Sequence, residues 1–249
     1  MSEEKAMGTA GSLTRRAAAT ALLGGLAFGA VAAGGSAVTA APPSGGARPG
    51  LAAFATPAGA TTLLRAGDRG PQVRTLQRRL LDLGYWNSGT EGVYGLTTQQ
   101  AVMALQKAAG LSRDGVYGPA SRRALSAGIR PRAHSRHGHV LEIDRTRQIA
   151  LFVTNGRVES VLNTSTGKPG WTTPLGHFRI FREVNALDRG PLGDLWRPKF
   201  FYRGIAIHGS GSIPGYPASH GCARVSNPAI DWVWARNRAP VGTPVWVYS

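Results

Sequence analysis

The sequence predicts two folded units of different class: a small all-α domain of three helices, followed by a mainly β domain that forms a sandwich or a barrel. Three observations lead to this prediction. Apolar residues recur at helical spacing within residues 63–127, they alternate with polar residues from residue 139 onward, and a segment rich in proline, glycine and alanine precedes both units. The 249 residues are enough for one or two domains of ordinary size.

The first part of the chain, residues 1–41, predicts an export signal. Arg15 and Arg16 stand before a mildly apolar, glycine-containing run, and Val38-Thr39-Ala40 supplies the small residues that signal peptidase recognises. The paired arginines and the weakly hydrophobic run indicate twin-arginine export. An uncleaved membrane anchor is the alternative, because the apolar run of about 17 residues is at the short limit for crossing a bilayer.

Residues 42–62 (PPSGGARPGLAAFATPAGATT) predict a flexible linker, since they are rich in Pro, Gly, Ala and Thr and show no apolar periodicity. Such a linker lets the folded units stand away from the membrane. The chain is therefore expected to act outside the cytoplasm.

The net charge of +16 is carried almost wholly by arginine, because lysine occurs only at positions 5, 107, 168 and 199. Such a charge indicates an anionic partner: nucleic acid, an anionic membrane or an acidic cell-wall polymer. The arginines are scattered and no nucleic-acid motif accompanies them, so a nucleic-acid partner is not predicted. A solvated basic surface is the alternative.

The helical unit is predicted over residues 63–127. A turn cluster at 67–70 precedes the first helix, which Gly84 ends, and a second helix runs from about residue 97 to 109. The segment GVYG occurs twice, at 92–95 and 115–118, and a helix start follows each copy, so three helices are expected. The apolar positions of the first helix are Val73, Leu76, Leu80 and Leu83.

The run LRAGDRGPQVRTLQRRLLDLGY…GVYGLTTQQAVMALQKAAGLSRDGVYGPASRRAL resembles the small three-helix peptidoglycan-binding domain of bacterial wall hydrolases. The repeated D/E-G-x-Y-G turns carry the resemblance, which covers the whole unit. It implies non-catalytic attachment to the cell wall, with peptidoglycan as the partner. A helical spacer that has lost this binding is the alternative.

Residues 128–138 (GIRPRAHSRHG) predict a basic hinge between the two units. His134, His137 and His139 lie close together in the sequence, but no cysteine or carboxylate completes a tetrahedral metal site at the usual spacing. We therefore expect ordinary histidines here and no metal.

The second unit is predicted over residues 139–249. Asn155-Gly156 lies between two runs of alternating residues and predicts a tight hairpin. Six or more strands and one short helix in about 110 residues predict a mainly β sandwich or barrel. The remaining predicted elements are a strand within 171–180, a single strand over 199–208, a helix over 228–237 and a closing strand over 241–247.

Cys222 is the only cysteine of the chain and the first candidate for catalysis. A free thiol with a pKa near ~8.5 is mostly protonated at neutral pH, so it needs a base to act as a nucleophile. His220 lies two residues away, whereas His208 ends a predicted strand and would approach through sheet pairing. We favour His208 as the base, because pairing holds a hydrogen bond more firmly than a glycine-containing turn, and we expect His220 to orient the substrate.

A catalytic histidine needs a third group that fixes its tautomer. No acidic residue lies within 195–230, so the candidates are the carbonyl of Gly209 and the hydroxyl of Ser210. Gly221 allows backbone N–H groups to approach an oxyanion closely. The forked donors of Arg224 suit a substrate carboxylate.

The pattern I-x-I-H-G at 205–209, followed by S-H-G-C-x-R-x-x-N at 219–227, resembles the L,D-transpeptidase catalytic domain, the YkuD-like family. The segments T-P-x-G-x-F-x-I at 173–180 and G-T-P-V at 242–245 also fit that family. The resemblance covers roughly residues 139–249. Two departures are visible: the loop after the first pattern is short, which predicts a reduced lid, and Ala223 replaces a bulkier aliphatic residue.

The resemblance implies a cell-wall enzyme that cleaves the bond between the diamino acid and the terminal D-Ala of a peptidoglycan tetrapeptide stem. A thioester forms, and an amine of a second stem resolves it into a 3→3 cross-link. The family also forms thioesters with carbapenems, uses no metal or organic cofactor, and serves cell-wall organisation and cell shape. By this resemblance Cys222 is the nucleophile and His208 its base, and the pocket and oxyanion hole are shaped by Ser219, His220, Gly221 and Arg224.

Three alternatives remain at the sequence level. Water as the acceptor gives an L,D-carboxypeptidase from the same site. A decayed catalytic domain gives a non-catalytic peptidoglycan-binding protein, although the reacting residues are all present. A cysteine amidase or endopeptidase of the wall usually places its cysteine before its histidine, whereas here His208 precedes Cys222.

Overall fold

The computed structural model describes residues 63–249. The predicted export signal (1–41) and linker (42–62) lie outside the described residues. Among the helices of residues 63–249, none is both long enough and apolar enough to span a membrane.

Three helices form the first domain: α1 (Pro71–Asp82), α2 (Leu96–Ala108) and α3 (Pro119–Ser126). The first and third begin with proline, whose fixed φ and missing N–H suit the first helical turn. The two GVYG segments lie against each other, because the Tyr94 hydroxyl donates to the carbonyl of Gly115 at 2.7 Å. The predicted three-helix unit is confirmed.

The second domain contains two open sheets packed face to face. One sheet has the order β3-β2-β1-β10-β4, and the other has the order β5-β7-β8-β9 with β6 paired to β7. An apolar core fills the space between them, so the fold is a sandwich rather than a barrel. Its elements are β1 (His139–Asp144), β2 (Ile149–Thr154), β3 (Arg157–Asn163), β4 (Gly176–Arg179), β5 (Arg182–Glu183), β6 (Leu187–Gly190), β7 (Gly193–Tyr202), β8 (Ile205–Ser210), β9 (Ala223–Ser226), α4 (Asn227–Ala235) and β10 (Pro244–Tyr248).

The prediction of a single strand over residues 199–208 is wrong. The structure divides it into β7 and β8, which run antiparallel and are joined by a tight turn at Arg203-Gly204. Arg203 adopts a left-handed φ of 47°, which allows the chain to reverse inside an otherwise apolar run. The reversal places Ile205–Ser210 in the middle of the second sheet.

The two domains share an apolar core and pack as one compact unit. The outer face of β2 and β3 supplies Leu151 and Val161, which pack with Tyr85 and Leu105 of the helical domain. Backbone hydrogen bonds continue this contact, since the amide of Val161 donates to the carbonyl of Gly84 at 2.8 Å.

Hydrogen bonds near its start and at its middle anchor the connector between the domains, residues 128–138. Arg130 donates to the carbonyl of Val158, and the backbone amides of His134 and Ser135 donate to the buried carboxylate of Glu142. The predicted hinge is therefore held by hydrogen bonds on the surface of the β domain.

Candidate active site

A cleft of about 420 Å³ opens at the edge of the second sheet. One wall is the hairpin of β6 and β7, and the floor is formed by the ends of β8 and β9. Six of the predicted site residues line it: His208, Ser210, Ser219, His220, Cys222 and Arg224. Gly209 and Gly221 contribute backbone groups next to this lining.

Sheet pairing brings the thiol and the histidine together. β8 and β9 are parallel neighbours, with His208 opposite Arg224 and Ile207 opposite Ala223. Because side chains alternate along a strand, Ile207 and Ala223 enter the core while His208 and Arg224 share the other face. Cys222 immediately precedes β9 and has Ala206 of β8 beside its sulfur.

The Cys222 thiol is partly buried. The amide of Ala206 lies 3.5 Å from Sγ, and the carbonyl of Gly204 lies 3.9 Å from it. Burial raises the pKa of the thiol, while the Ala206 amide and the charge of Arg224 act in the opposite direction. At neutral pH Cys222 is therefore a thiol rather than a thiolate.

His208 is 4% exposed, and its Nδ1 lies 2.8 Å from the carbonyl of Gly209. A carbonyl only accepts, so Nδ1 carries the proton and Nε2 has a free lone pair. Burial lowers the pKa of His208 to about 4; the Gly209 carbonyl opposes this shift and the charge of Arg224 adds to it. The hydroxyl of Ser210 instead exchanges hydrogen bonds with the backbone of Ser212.

The turn before the thiol is fixed by two buried hydroxyls. Ser219 Oγ donates to the carbonyl of Cys222 at 2.5 Å and accepts from the amide of Gly221 at 3.1 Å. Thr173 Oγ1 donates to the carbonyl of Gly221 at 2.6 Å. Gly221 has a φ of +117°, a conformation that favours glycine. The Gly221 amide thus already has a partner, and its contribution to an oxyanion hole stays a prediction.

Two residues hold His220 through contacts that the sequence did not predict. Lys168 Nζ lies 3.2 Å from His220 Nε2, and the ring of Trp171 meets the imidazole edge to face at 5.0 Å. An ammonium group only donates, so Nε2 accepts and the proton of His220 resides on Nδ1. The only available signal was that both residues lie just before the T-P-x-G-x-F-x-I segment.

Arg224 places a cation in the cleft. Its backbone pairs with Ser165 on one side and with β8 on the other, which fixes the position of its Cα. Among residues 63–249, no acidic side chain forms a salt bridge with it. A carboxylate entering the cleft would meet this guanidinium without displacing an internal partner.

The cover of the cleft is the β6–β7 hairpin, which the sequence reasoning did not find. Residues 188–195 line the cleft along its length, and Arg182 holds Asp188 at 3.5 Å. The prediction of a reduced lid considered only the loop between His208 and Ser219. That loop is short, but the wall over the site comes from a different part of the chain.

The described part of the chain contains no group of three or more His, Cys, Asp or Glu side chains placed to hold a metal ion. His139, from the predicted histidine group, bonds instead to Thr154 Oγ1 and to the carbonyl of Arg238.

Comparison with known proteins adds the family. Residues 138–247 match YkuD, the L,D-transpeptidase catalytic domain, and residues 69–125 match a peptidoglycan binding domain. A crystal structure of the L,D-transpeptidase from Xylanimonas cellulosilytica is 48% identical with a TM-score of 0.74, covering 76% of this chain and 99% of that chain. The chain belongs to the L,D-transpeptidase family.

The curated relatives share only a segment with this L,D-transpeptidase family member. N-acetylmuramoyl-L-alanine amidase CwlL of Bacillus licheniformis is 48% identical over 68 residues, which is 26% of this chain and 19% of that protein. N-acetylmuramoyl-L-alanine amidase CwlM of Mycobacterium tuberculosis is 45% identical over 56 residues, 22% of this chain and 14% of that protein. The chain thus spans about a fifth or less of the length of these curated relatives.

Proposed function

We propose that the protein is a cell-wall L,D-transpeptidase that uses Cys222 as its nucleophile and His208 as its base. One observation carries the proposal: parallel pairing of β8 and β9 gathers the thiol, a tautomer-fixed imidazole and the cation of Arg224 in one cleft. Membership of the L,D-transpeptidase family supports the reaction class.

The first half-reaction acylates the enzyme. The sulfur of Cys222 attacks the carbonyl carbon of the bond between the diamino acid and the terminal D-Ala, and Nε2 of His208 accepts the thiol proton. The resulting imidazolium gives that proton to the leaving amine as the C–N bond breaks. D-Ala departs, and the tripeptide remains attached to Cys222 as a thioester.

The second half-reaction transfers the acyl group. An amine of a neighbouring stem attacks the thioester, His208 accepts its proton, and the sulfur leaves and recovers a proton from the imidazolium. The product is a 3→3 cross-link. Water attacking the same thioester gives a tripeptide, so L,D-carboxypeptidase activity is the alternative outcome of the same intermediate.

The protonation states favour concerted proton transfer over a preformed ion pair. Burial raises the pKa of Cys222 and lowers that of His208, so both groups are neutral before substrate binds. Transfer of the thiol proton to the imidazole is therefore unfavourable before attack and becomes favourable as the sulfur bonds to carbon. Peptidoglycan stems end in a carboxylate, for which the fork of Arg224 is a suitable partner.

The remaining assignments follow from this activity. The helical domain binds peptidoglycan, and the enzyme acts outside the cytoplasm at the cell wall, exported by the predicted N-terminal signal. Ser219, His220 and Gly221 shape the pocket, with the backbone of this turn supplying the oxyanion donors. No metal or organic cofactor takes part in any step.

A carbapenem tests the nucleophile directly, because opening of its lactam ring leaves the whole inhibitor attached to sulfur. Incubation of the full-length protein should raise its intact mass by one carbapenem, and peptide mapping should place the addition on Cys222. Cys222→Ala should show no addition. An unmodified wild-type protein, or an adduct that survives in Cys222→Ala, would contradict the assignment.

A further inference from the structure

Three polar side chains of the helical domain form hydrogen bonds with residues of the β domain near the active site. Gln100 and Lys107 lie on α2, and Arg113 follows that helix. All three precede residues 138–247, the part of the chain that matches the catalytic domain. The contact between the domains therefore consists of specific polar bonds as well as the shared apolar core.

Lys107 is the central member of this group. It is 1% exposed, and its Nζ donates to the carbonyls of Gln148 at 3.0 Å and Thr164 at 2.8 Å. Burial, together with the charge of Arg113, lowers the pKa of Lys107 to about 6. A neutral amine has two N–H donors, which match the two carbonyls, so a buried lysine is accommodated here without a carboxylate partner.

The segment that Lys107 holds is the backbone neighbour of Arg224. Thr164 Oγ1 donates to the carbonyl of Arg224 at 2.8 Å, and the backbones of Ser165 and Arg224 exchange two hydrogen bonds at 3.0–3.1 Å. Ser165 Oγ also donates to the carbonyl of Tyr216. The path from Lys107 to the strand that follows Cys222 is therefore continuous.

Gln100 and Arg113 act on the loop 211–218, which joins the strand of His208 to the turn of Cys222. Arg113 donates to the carbonyl of Gly215 at 3.0 Å and to that of Thr146 at 3.3 Å. The side-chain Nδ2 of Asn163 donates to Gln100 Oε1 at 2.5 Å, and the same nitrogen lies 3.4 Å from the carbonyl of Ile213. Gly215 packs so closely on Arg113 that an added Cβ would lie 2.8 Å from the Arg113 Cβ.

We propose that the helical domain is a positioning part of the catalytic centre, in which Lys107 and Arg113 hold segment 163–166 and loop 211–218 so that Cys222 and Arg224 stay aligned with His208. This role rests on the proposed function and adds to wall binding. Lys107 and Arg113 are positioning residues, because neither lines the cleft.

The physical basis is the sensitivity of acyl transfer to alignment. The loop 211–218 has an exposed tip and contains four glycine or proline residues, and Ile213 is its one buried apolar anchor. Such segments open locally at low free-energy cost unless polar bonds hold them. A displacement of ~1 Å at a reacting atom lowers rates by on the order of 10²-fold.

Full-length variants test the proposal through the rate of carbapenem acylation. Arg113→Ala should acylate ~10-fold more slowly and Lys107→Met ~10²-fold more slowly than wild type, within the range expected for misalignment. Arg78→Ala is the matched control, since Arg78 is an exposed arginine of the same domain and should leave the rate unchanged. Arg113→Lys keeps the positive charge and one donor nitrogen, so it should recover part of the rate.

Two further readouts separate positioning from general destabilisation. In Arg113→Ala, amide hydrogen exchange should increase in loop 211–218 while the helical domain keeps its protection. The loss should also appear in the maximal acylation rate rather than only in the carbapenem concentration for half-saturation. Because Arg113 is exposed, its variant is expected to fold even if Lys107→Met does not.

The outcomes are distinct. Equal maximal rates for wild type, Arg113→Ala and Arg78→Ala, with unchanged exchange in the loop, would overturn the positioning role while leaving the proposed function intact. Absence of any adduct on wild type would instead overturn the proposed function, and the positioning role with it.

Discussion

His208 and Cys222 respond to burial in opposite directions, and this decides their resting state. Removing a charge from water disfavours the thiolate and the imidazolium alike, so the pKa of the thiol rises and that of the imidazole falls to about 4. Both residues are therefore neutral over the physiological range. The proposed base, His208, is ready to accept a proton at pH values where an ordinary histidine, with a pKa of ~6.5, is already charged.

The pH dependence of carbapenem acylation tests this charge state. Only neutral His208 accepts a proton, and its lowered pKa keeps it neutral until the pH falls towards 4. The acylation rate should therefore stay level from about pH 7 to pH 5 and fall with a midpoint near 4. Stopped reactions analysed by intact mass give the rate, and circular dichroism at each pH checks that the protein stays folded.

Variants of the two histidines are the controls for this profile. His208→Ala should lower the rate by on the order of 10² or more and remove the acid limb. His220→Ala should keep the midpoint near 4, because His220 is held by Lys168 away from the role of base. A wild-type midpoint near ~6.5, or a larger loss in His220→Ala than in His208→Ala, would contradict the assignment of the base.

At the scale of elements, the turn 219–222 connects sheet geometry to chemistry. Its shape depends on the bonds of Ser219 and Thr173 and on the left-handed backbone of Gly221. An added Cβ at Gly221 would lie 3.2 Å from Ile205 Cδ1, so both backbone strain and a tight contact oppose substitution.

Gly221→Ala should therefore destabilise the protein by about 1–3 kcal/mol and slow acylation by ~10-fold or more. Urea unfolding and carbapenem acylation measure the two effects. Gly211→Ala is the matched control from the same connection between His208 and Cys222, because an added Cβ there meets no atom within 4 Å. Equal behaviour of the two variants would show that the Gly221 conformation is unimportant for the site.

The pattern of side chains along the sequence predicted some elements well and others poorly, and the reasons are physical. The hairpin at Asn155-Gly156 was predictable because its positive φ values of 49° and 78° need those residue types and its flanking strands alternate. The β6–β7 hairpin (LDRGPLGDLWRP) is charged and largely exposed, so backbone pairing leaves no apolar alternation to detect. The cover of the cleft was missed for this reason.

At the scale of the whole molecule, the proposed reacting residues were more predictable from the sequence than the residues that support them. Cys222, His208 and Arg224 stand out by residue type and spacing, and the structure gathers them in one cleft. The role of the Gly209 carbonyl was left open beside Ser210, because backbone groups leave no mark in a sequence. Lys107 was not singled out, since its burial depends on how the helical domain packs on the β domain.

The order of the two domains also bears on substrate delivery. The helical domain matches a peptidoglycan binding domain and packs directly on the β sandwich, so the proposed wall binding and the proposed catalysis belong to one compact unit. Under our proposal, a bound glycan strand presents its stems to a cleft whose alignment the same domain maintains.

Muropeptide analysis tests the proposed transpeptidase activity most directly. Purified disaccharide-tetrapeptide stems are incubated with the full-length protein, with Cys222→Ala as the control, and the products are separated and sequenced by mass spectrometry. We expect release of D-Ala and 3→3 linked dimers with wild type only, whereas tripeptides without dimers would indicate the carboxypeptidase alternative. Unchanged tetrapeptides with wild type, or identical products with Cys222→Ala, would show that Cys222 does not catalyse this transfer.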